Sequence, residues 1–282
     1  MSSVIKKAYG KVNLFLAVGG KRADGRHDVE TVLCRVGVYD TVTVSETDTE
    51  CIELICNDSA LPTNEENIAY LAAMRYLERA SLIKGIRITI EKRIPVKAGM
   101  GGGSSDAAAV LSALDELYGA LTFDELCEIA SGIGADVPFF LYKKNVMLGK
   151  GTGTELYECG ELCFDAYGVF VMHGEKLSTG KAYEALDNAK RGDFELKRAD
   201  KLIKTIASGD LFAFAGEIKN DFELCCDTFN EVSDKLYEAG CLKAFLCGSG
   251  PTTCGVFDTR EAAENAAATL GYNCFTATIG IS

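Results

Sequence analysis

The sequence offers little that could build a metal cluster or a disulfide framework. It has 282 residues with only two histidines, and none of its 12 cysteines stands in a C-x-x-C pair. Structural zinc sites are usually built from such pairs, and disulfide frameworks are typical of short secreted chains. The cysteines therefore fit reduced thiols that pack as small apolar residues in a cytoplasmic protein.

Long apolar runs and an excess of basic residues are also missing. No stretch approaches the roughly 20 apolar residues of a membrane span, and Asn13 interrupts the short apolar run near the start, which disfavours a signal peptide. Lys and Arg number 29 against 41 Asp and Glu, for a formal net charge of -12. This balance disfavours nucleic acid and anionic membranes as partners. We expect a monomer or homodimer that acts on a small molecule.

Three familiar phosphate-binding and kinase patterns are absent as well. No G-x-x-x-x-G-K-[ST] loop occurs, because none of the four Gly-Lys pairs is followed by Ser or Thr. No G-x-G-x-x-G segment occurs, which disfavours a dinucleotide-binding fold. The H-R-D and D-F-G motifs of protein kinases are missing too.

Apolar periodicity predicts an alternation of strands and helices in the first half of the chain. Period-two alternation indicates strands, whereas helical spacing after a Ser/Thr-x-x-Glu capping box indicates helices. One capping box lies at residues 63–66 and a second at 122–125. The predicted strands are 12–16, 40–46 and 86–90, and the predicted helices are 63–81, 105–119 and 122–134.

The second half follows the same pattern after a glycine-rich crossing at residues 149–153. The predicted strands are 168–172, 243–247 and 255–257, and the predicted helices are 221–238 and 259–270. This order favours an α+β protein with two domains, residues 1–160 and 161–282.

The most informative segment is the run Gly99-Met100-Gly101-Gly102-Gly103-Ser104-Ser105. Consecutive glycines cost backbone entropy and suit a backbone that needs positive φ or a close approach to a ligand. At the start of a helix, free N–H groups and the helix dipole form an anion site. The run therefore predicts phosphate binding, with a tight turn capped by Ser105 as the alternative. Asp106 has the simpler interpretation of a charge that favours the helix N-terminus.

Four segments in sequence order resemble the 4-diphosphocytidyl-2-C-methyl-D-erythritol kinases, a family within the galactokinase, homoserine kinase, mevalonate kinase and phosphomevalonate kinase (GHMP) superfamily. They are residues 10–16 (GKVNLFL), 22–28 (RADGRHD), 95–108 (PVKAGMGGGSSDAA) and 134–140 (GADVPFF). The resemblance implies a two-domain GHMP kinase fold, with an N-terminal domain like domain 2 of ribosomal protein S5 and a ferredoxin-like C-terminal domain.

The resemblance also implies an activity. It is the ATP-dependent phosphorylation of the 2-hydroxyl of 4-diphosphocytidyl-2-C-methyl-D-erythritol, in the non-mevalonate route to isoprenoid precursors. Lys11 would contact the reacting hydroxyl and Asp136 would accept its proton, while ATP and Mg²⁺ supply the phosphoryl group and its counter-charge. Asn67 would lie near the adenine and Ser104 near Mg²⁺. The implied phosphate-binding residues are Pro95, Val96, Lys97, Ala98, Gly99, Met100, Gly101, Gly102, Gly103, Ser104 and Ser105.

On the substrate side, the resemblance places Asn13 and Asp136 at the alcohol and His27 and Tyr183 at the cytosine base. Arg26 stands where the family has a tyrosine, and a guanidinium can stack on a base and attract a diphosphate. Two alternatives stay open. One is another small-alcohol kinase of the homoserine or mevalonate type, although kinases of that type lack the R-A-D-G-x-H segment that this chain has. The other is a non-catalytic nucleotide-binding regulator, which would not need both Lys11 and Asp136.

Overall fold

The computed structural model describes residues 2–174, 178–190 and 195–281, and the chain divides into two compact units. Two long strands, β1 (Ser3–Lys21) and β2 (His27–Thr47), run from one unit into the other. Unit 1 consists of Met1–Gly10, Val38–Val96 and Gly101–Lys143, and unit 2 consists of Lys11–Gly37, Lys97–Met100 and Lys144–Ser282. The proposed boundary between residues 160 and 161 stays a prediction.

Unit 1 combines a small sheet with four helices. In the sheet, β4 pairs antiparallel with the second half of β2, from Thr41 opposite Glu91 to Thr47 opposite Gly85, and β3 pairs parallel with β4. The other elements are β3 (Ile52–Cys56), β4 (Gly85–Glu91), α1 (Ile68–Arg79), α2 (Gly102–Tyr118), α3 (Phe123–Ile133) and α4 (Val137–Leu141).

The core of unit 1 lies where the apolar faces of these elements meet. In β4, Ile86, Ile88 and Ile90 are buried while Arg87 is exposed, as the period-two pattern predicts. Helix α2 is buried from Ser105 to Leu111 and again at Ala113 and Leu114, and Tyr76 of α1 is completely buried. The alternation of apolar and polar residues in β4 therefore reflects a sheet with one buried face and one exposed face.

Two local predictions in unit 1 were wrong at their edges. The capping box at residues 63–66 does not start α1, because Asn67 is the N-cap and its side chain accepts a hydrogen bond from the backbone N–H of Ala69. Helix α2 begins at Gly102 rather than at Ser105, so two glycines form its first turn. By contrast, the second capping box is present: Thr122 and Glu125 bond reciprocally at the start of α3.

Unit 2 contains an antiparallel four-stranded sheet in the order β11-β7-β10-β9. Two helices, α8 and α9, pack against it, and the element order strand–helix–strand–strand–helix–strand is the ferredoxin-like arrangement that was predicted. These elements are β7 (Tyr167–Met172), α8 (Phe229–Glu238), β9 (Lys243–Leu246), β10 (Thr252–Phe257), α9 (Arg260–Thr269) and β11 (Cys274–Thr278).

The rest of unit 2 includes the second half of β1, from Lys11 onward, and the first half of β2, up to Gly37. Strand β5 pairs with β2, β6 pairs with β5, and the two-residue strand β8 pairs parallel with β1 at Phe15 and Leu16. These elements are β5 (Val146–Lys150), β6 (Glu155–Glu158), α5 (Thr179–Lys190), α6 (Asp200–Ile206), α7 (Leu211–Glu217) and β8 (Lys219–Asn220).

The predicted helix over residues 221–238 was wrong as a single element. A short 3₁₀ helix (Asp221–Cys225) comes first, and α8 begins only at Phe229. The break lies at Cys226, whose backbone is extended with φ of −104° and ψ of 99°, while Asn220 caps the start of the 3₁₀ helix by accepting from the N–H of Phe222.

Candidate active site

The glycine run in unit 1 forms the N-terminus of α2. Gly101 is the N-cap residue with φ of +70°, and no side chain of the described residues caps the helix there. Gly103 in the first turn is exposed. The backbone N–H groups of this turn therefore remain available to an anion at the positive end of a 17-residue helix. Ser104 lies in the same turn and Ser105 is buried behind it.

Three buried charges lie directly behind this turn. Lys92 Nζ donates to Asp106 Oδ2 at 2.7 Å and also contacts Asp40 Oδ2. The other oxygen of Asp40 accepts hydrogen bonds from the N–H groups of Arg93, at 2.5 Å, and Ile94, at 2.8 Å. We call Asp40, Lys92 and Asp106 the charged triad. It ties the first turns of α2 to β2 and to the segment that follows β4.

The triad is buried and has two carboxyl groups for one ammonium group, and both conditions shift the pKa values of its members. Burial raises the pKa of Asp106 to about 7; the charge of Lys92 acts against this shift and the charge of Asp40 adds to it. For Lys92, burial alone would lower the pKa, but the charges of Asp106 and Asp40 outweigh burial and raise it. Asp106 Oδ1 is buried and has no hydrogen-bond partner among the described residues.

Asp136, the predicted proton acceptor, lies between α3 and α4 in unit 1. It is the N-cap residue of α4, yet in the described structure its side chain makes no capping hydrogen bond to that helix. The residue is half-buried. Its role as proton acceptor stays a prediction.

Asn67, predicted near the adenine, has a local structural role. Its Oδ1 accepts from the N–H of Ala69 at 3.0 Å and its Nδ2 donates to the carbonyl of Pro62 at 2.8 Å. Both ends of the amide are thus used in starting α1 and anchoring the preceding loop. Its place beside the adenine stays a prediction.

In unit 2, a chain of hydrogen bonds holds Lys11 and Asn13. Both side chains are buried and, two residues apart on β1, lie on the same face of the strand. Lys11 Nζ donates to Asn13 Oδ1 at 2.7 Å, Asn13 Nδ2 donates to Thr31 Oγ1 at 2.8 Å, and Thr31 Oγ1 donates to the carbonyl of Phe15 at 2.8 Å. The ammonium group is therefore held in one orientation.

The second glycine turn, residues 248–252, lies beside this lysine. A Cβ at Gly248 would be 3.6 Å from Lys11 Nζ and 3.0 Å from the carbonyl oxygen of Gly99. Gly99 itself has φ of +78°, and a Cβ there would be 2.4 Å from the carbonyl oxygen of Cys247, so only glycine fits. Within unit 2, the structure thus brings together Lys11, the Lys97–Met100 segment and this turn.

Asn220 is a residue of this region that the sequence did not suggest. Its Nδ2 donates to the carbonyls of Leu246 and Gly248, both at 2.7 Å, and is buried. It therefore holds the end of β9 and the start of the 248–252 turn to β8. No sequence signal marks Asn220, because its partners are 26 and 28 residues away.

The predicted base-binding residues lie together in unit 2. His27 is the first residue of β2 and is buried, and the ring of Tyr183 stacks on it with centroids 4.9 Å apart and planes 17° apart. Arg26 is exposed at the preceding turn, where its carbonyl accepts from the N–H of Arg22. A further residue, Asp187, lies 3.0 Å from His27 Nε2. The contacts of these side chains with a base stay predictions.

Comparison with known proteins shows the family of this chain. The model for the GHMP kinase N-terminal domain matches residues 67–144, and the model for the GHMP kinase C-terminal domain matches residues 185–275. The 4-diphosphocytidyl-2-C-methyl-D-erythritol kinase of Alkaliphilus oremlandii is 36% identical over 94% of this chain and 92% of its own length. This chain belongs to that family of GHMP kinases.

Other relatives and solved structures agree with this assignment. The enzymes of the same name from Geobacter metallireducens and Chlorobium limicola are 36% and 37% identical, over 96% and 94% of this chain and 95% and 92% of their own lengths. A crystal structure of 4-(cytidine 5'-diphospho)-2C-methyl-D-erythritol kinase aligns with a TM-score of 0.83 at 31% identity, covering 99% of this chain and all of the other. A homoserine kinase from Cytophaga hutchinsonii, at 18% identity and a TM-score of 0.75, shares the fold.

Proposed function

We propose that the protein transfers the γ-phosphoryl group of ATP to the 2-hydroxyl of 4-diphosphocytidyl-2-C-methyl-D-erythritol. The observation that carries this proposal is the nearly full-length similarity to relatives that bear this name, at 36% identity in the case of Alkaliphilus oremlandii. The uncapped N-terminus of α2 supports a nucleotide phosphate, and the fixed Lys11 ammonium supports an alcohol that must lose a proton.

The nucleotide would be held by its phosphates at the first turn of α2 and by the residues 95–105 around it. Mg²⁺ bound with ATP would offset the phosphate charge, and Ser104 is the residue of this chain that would help to hold it. Within the described ranges, no group of three His, Cys, Asp or Glu side chains could hold a metal ion. The cation would therefore be bound mainly through the phosphates, as is usual for Mg²⁺ with nucleotides.

For the reacting hydroxyl, we assign Asp136 as proton acceptor and Lys11 as the cation that stabilises the developing alkoxide. Asn13 accepts a hydrogen bond from Lys11, and we assign it to contact with the alcohol as well. Arg26, His27 and Tyr183 would receive the cytidine diphosphate end of the substrate. This division of roles separates phosphate binding, proton transfer and base recognition onto different residues.

The proposed setting is isoprenoid precursor synthesis by the non-mevalonate route in the cytoplasm. All 12 cysteines are free thiols, which fits a reducing compartment. None of the described helices combines the length and apolar character needed to cross a membrane.

The proposal is tested by offering the purified protein ATP, Mg²⁺ and one of three alcohols: the cytidyl substrate, homoserine or mevalonate. ADP release should follow only with the cytidyl substrate. Turnover with homoserine or mevalonate instead would identify a different small-alcohol kinase, and nucleotide binding without any turnover would favour a regulator.

The roles within the site are tested by Asp136→Asn. If Asp136 accepts the proton, kcat should fall by about 10²–10⁴ while ATP binding is retained. Asp124→Asn, which removes an exposed acid from the first turn of α3, is the matched control and should leave kcat unchanged. Activity of Asp136→Asn within a few-fold of the parent would contradict the assignment.

A further inference from the structure

We infer that Asp187 sets the tautomer of His27 and so makes the site select a base that carries a 4-amino group, cytosine rather than uracil. This inference rests on the proposed function, in which His27 contacts the cytidine end of the substrate. Asp187 acts through His27 and is therefore a positioning residue that determines specificity.

The geometry holds the imidazole at two points from one helix. Tyr183 and Asp187 are four residues apart in α5, so their side chains lie on the same face of the helix. The Tyr183 ring stacks on the imidazole, and Phe222 packs against Tyr183 at 86°, with ring centroids 5.1 Å apart. Asp187 Oδ1 lies 3.0 Å from Nε2. The His27 side chain is 5% exposed, so its ring cannot turn freely.

The contact with Asp187 decides where the imidazole proton lies. A carboxylate can only accept hydrogen bonds, so Nε2 must carry the hydrogen. In the neutral ring, Nδ1 is then left with a lone pair and acts as an acceptor. Among the described residues, none is hydrogen-bonded to Nδ1.

An acceptor at this position distinguishes the two pyrimidines. Cytosine presents an amino group at its 4-position, whereas thymine and uracil present an acceptor oxygen there. Nδ1 can therefore accept from cytosine but would face a second acceptor on uracil, which leaves both groups unsatisfied. The neighbouring Arg26 has donors only, so it cannot make this distinction by accepting a hydrogen bond.

The first test measures the binding of CDP and UDP to the whole chain by calorimetry, at about pH 8 so that an ordinary imidazole is neutral. The parent should bind CDP about tenfold or more tightly than UDP. In Asp187→Asn the amide can also donate to Nε2, so this preference should largely disappear. Glu184→Gln, an exposed acid of the same helix, makes the same charge change and should keep the parent's preference.

The second test reads the tautomer directly from ¹⁵N chemical shifts of the imidazoles, which is simple because the chain has two histidines. The parent should show His27 protonated at Nε2, and Asp187→Asn should lose this preference. If Asp187→Asn does not fold, Asp187→Glu replaces it and must keep both the tautomer and the CDP preference.

Three results would overturn the inference: a parent protonated at Nδ1, a parent that binds CDP and UDP equally well, or a folded Asp187→Asn with an unchanged ratio of CDP to UDP affinity. Neither readout needs turnover. An absence of ADP release would therefore count against the proposed function. The role of Asp187 is tested separately, by the ratio of CDP to UDP affinity and by the tautomer of His27.

Discussion

Each unit has a carboxyl group with a raised pKa near a glycine-rich turn, buried in unit 1 and half-buried in unit 2, and the two are held in different ways. Behind the first turn of α2, Asp106 bonds to the ammonium of Lys92, which also contacts Asp40. Behind the 248–252 turn, Glu223 accepts a hydrogen bond from the N–H of Leu246 at 3.2 Å. Burial raises the pKa of both carboxyl groups to about 7.

The two units differ in the groups that interact with the carboxyl group, Asp106 in unit 1 and Glu223 in unit 2. Unit 1 uses a full opposite charge, so removal of Lys92 leaves both carboxyl groups without their cation. In unit 2, Glu223 accepts one hydrogen bond, from the N–H of Leu246, and the charge of Lys243 also acts to lower its pKa. The neighbouring turn is held by the Asn220 amide, which donates to the carbonyls of Leu246 and Gly248. Behind the proposed phosphate site, the charged triad thus joins one buried ammonium group to two carboxyl groups, whereas the turn beside Lys11 is held mainly by neutral groups.

The largest effect is expected from Lys92→Met, which leaves Asp40 and Asp106 buried without their cation. The free energy of unfolding should fall by about 3–5 kcal/mol, measured by urea denaturation. The double variant with Asp106→Asn should recover part of this loss, because one of the two carboxylates is then neutral.

The matched control is Lys84→Met in the same unit, where the lysine is 47% exposed and lies 3.8 Å from Glu46. It should cost less than about 1 kcal/mol. If Lys92→Met cost as little as Lys84→Met, the contrast between the units would be lost.

A middle-sized effect is expected from Glu223→Gln as a function of pH. The folded-state pKa of Glu223 is about 7, above its ordinary value of 4.5, with burial as the main cause. Between these values the folded state keeps a proton that the unfolded state releases, so this group's contribution to stability falls as pH rises from about 4.5 to about 7.

The parent should therefore lose up to about 3 kcal/mol more than Glu223→Gln between about pH 4.5 and about pH 8. Urea denaturation at both pH values measures this difference. Glu238→Gln, whose side chain is 69% exposed, should behave like the parent. Parallel pH profiles for the parent and Glu223→Gln would show that Glu223 stays ionised when folded.

The smallest effect on stability is expected from Asn220→Ala, which removes the two bonds to Leu246 and Gly248 and the bond accepted from the N–H of Phe222. A loss of about 1–3 kcal/mol should accompany a fall of about tenfold in kcat/KM, because the turn beside Lys11 is no longer fixed. Asn273→Ala, at an exposed position of the same unit, should change neither quantity. Normal kcat/KM in Asn220→Ala would show that the turn does not depend on this amide.

The sequence alone determined the features that depend on neighbours along the chain. The alternation of Ile86, Ile88 and Ile90 predicted β4, and the capping box of Thr122 and Glu125 predicted the start of α3. The glycine run predicted an anion site at a helix N-terminus, and the order of motifs predicted the family. These signals depend on residues two to four positions apart or on the order of motifs along the chain, so they can be recognised without knowledge of the tertiary structure.

Only the tertiary structure decided which polar groups meet across the chain. Asp40 and Lys92 are 52 residues apart, and His27 and Asp187 are 160 apart, so no local pattern joins them. The same limit explains the wrong helix start at residues 63–66, where Asn67, anchored on Pro62, caps α1 instead. Periodicity describes the face on which a residue lies, whereas its partner depends on which elements pack together, and packing is set by the whole chain.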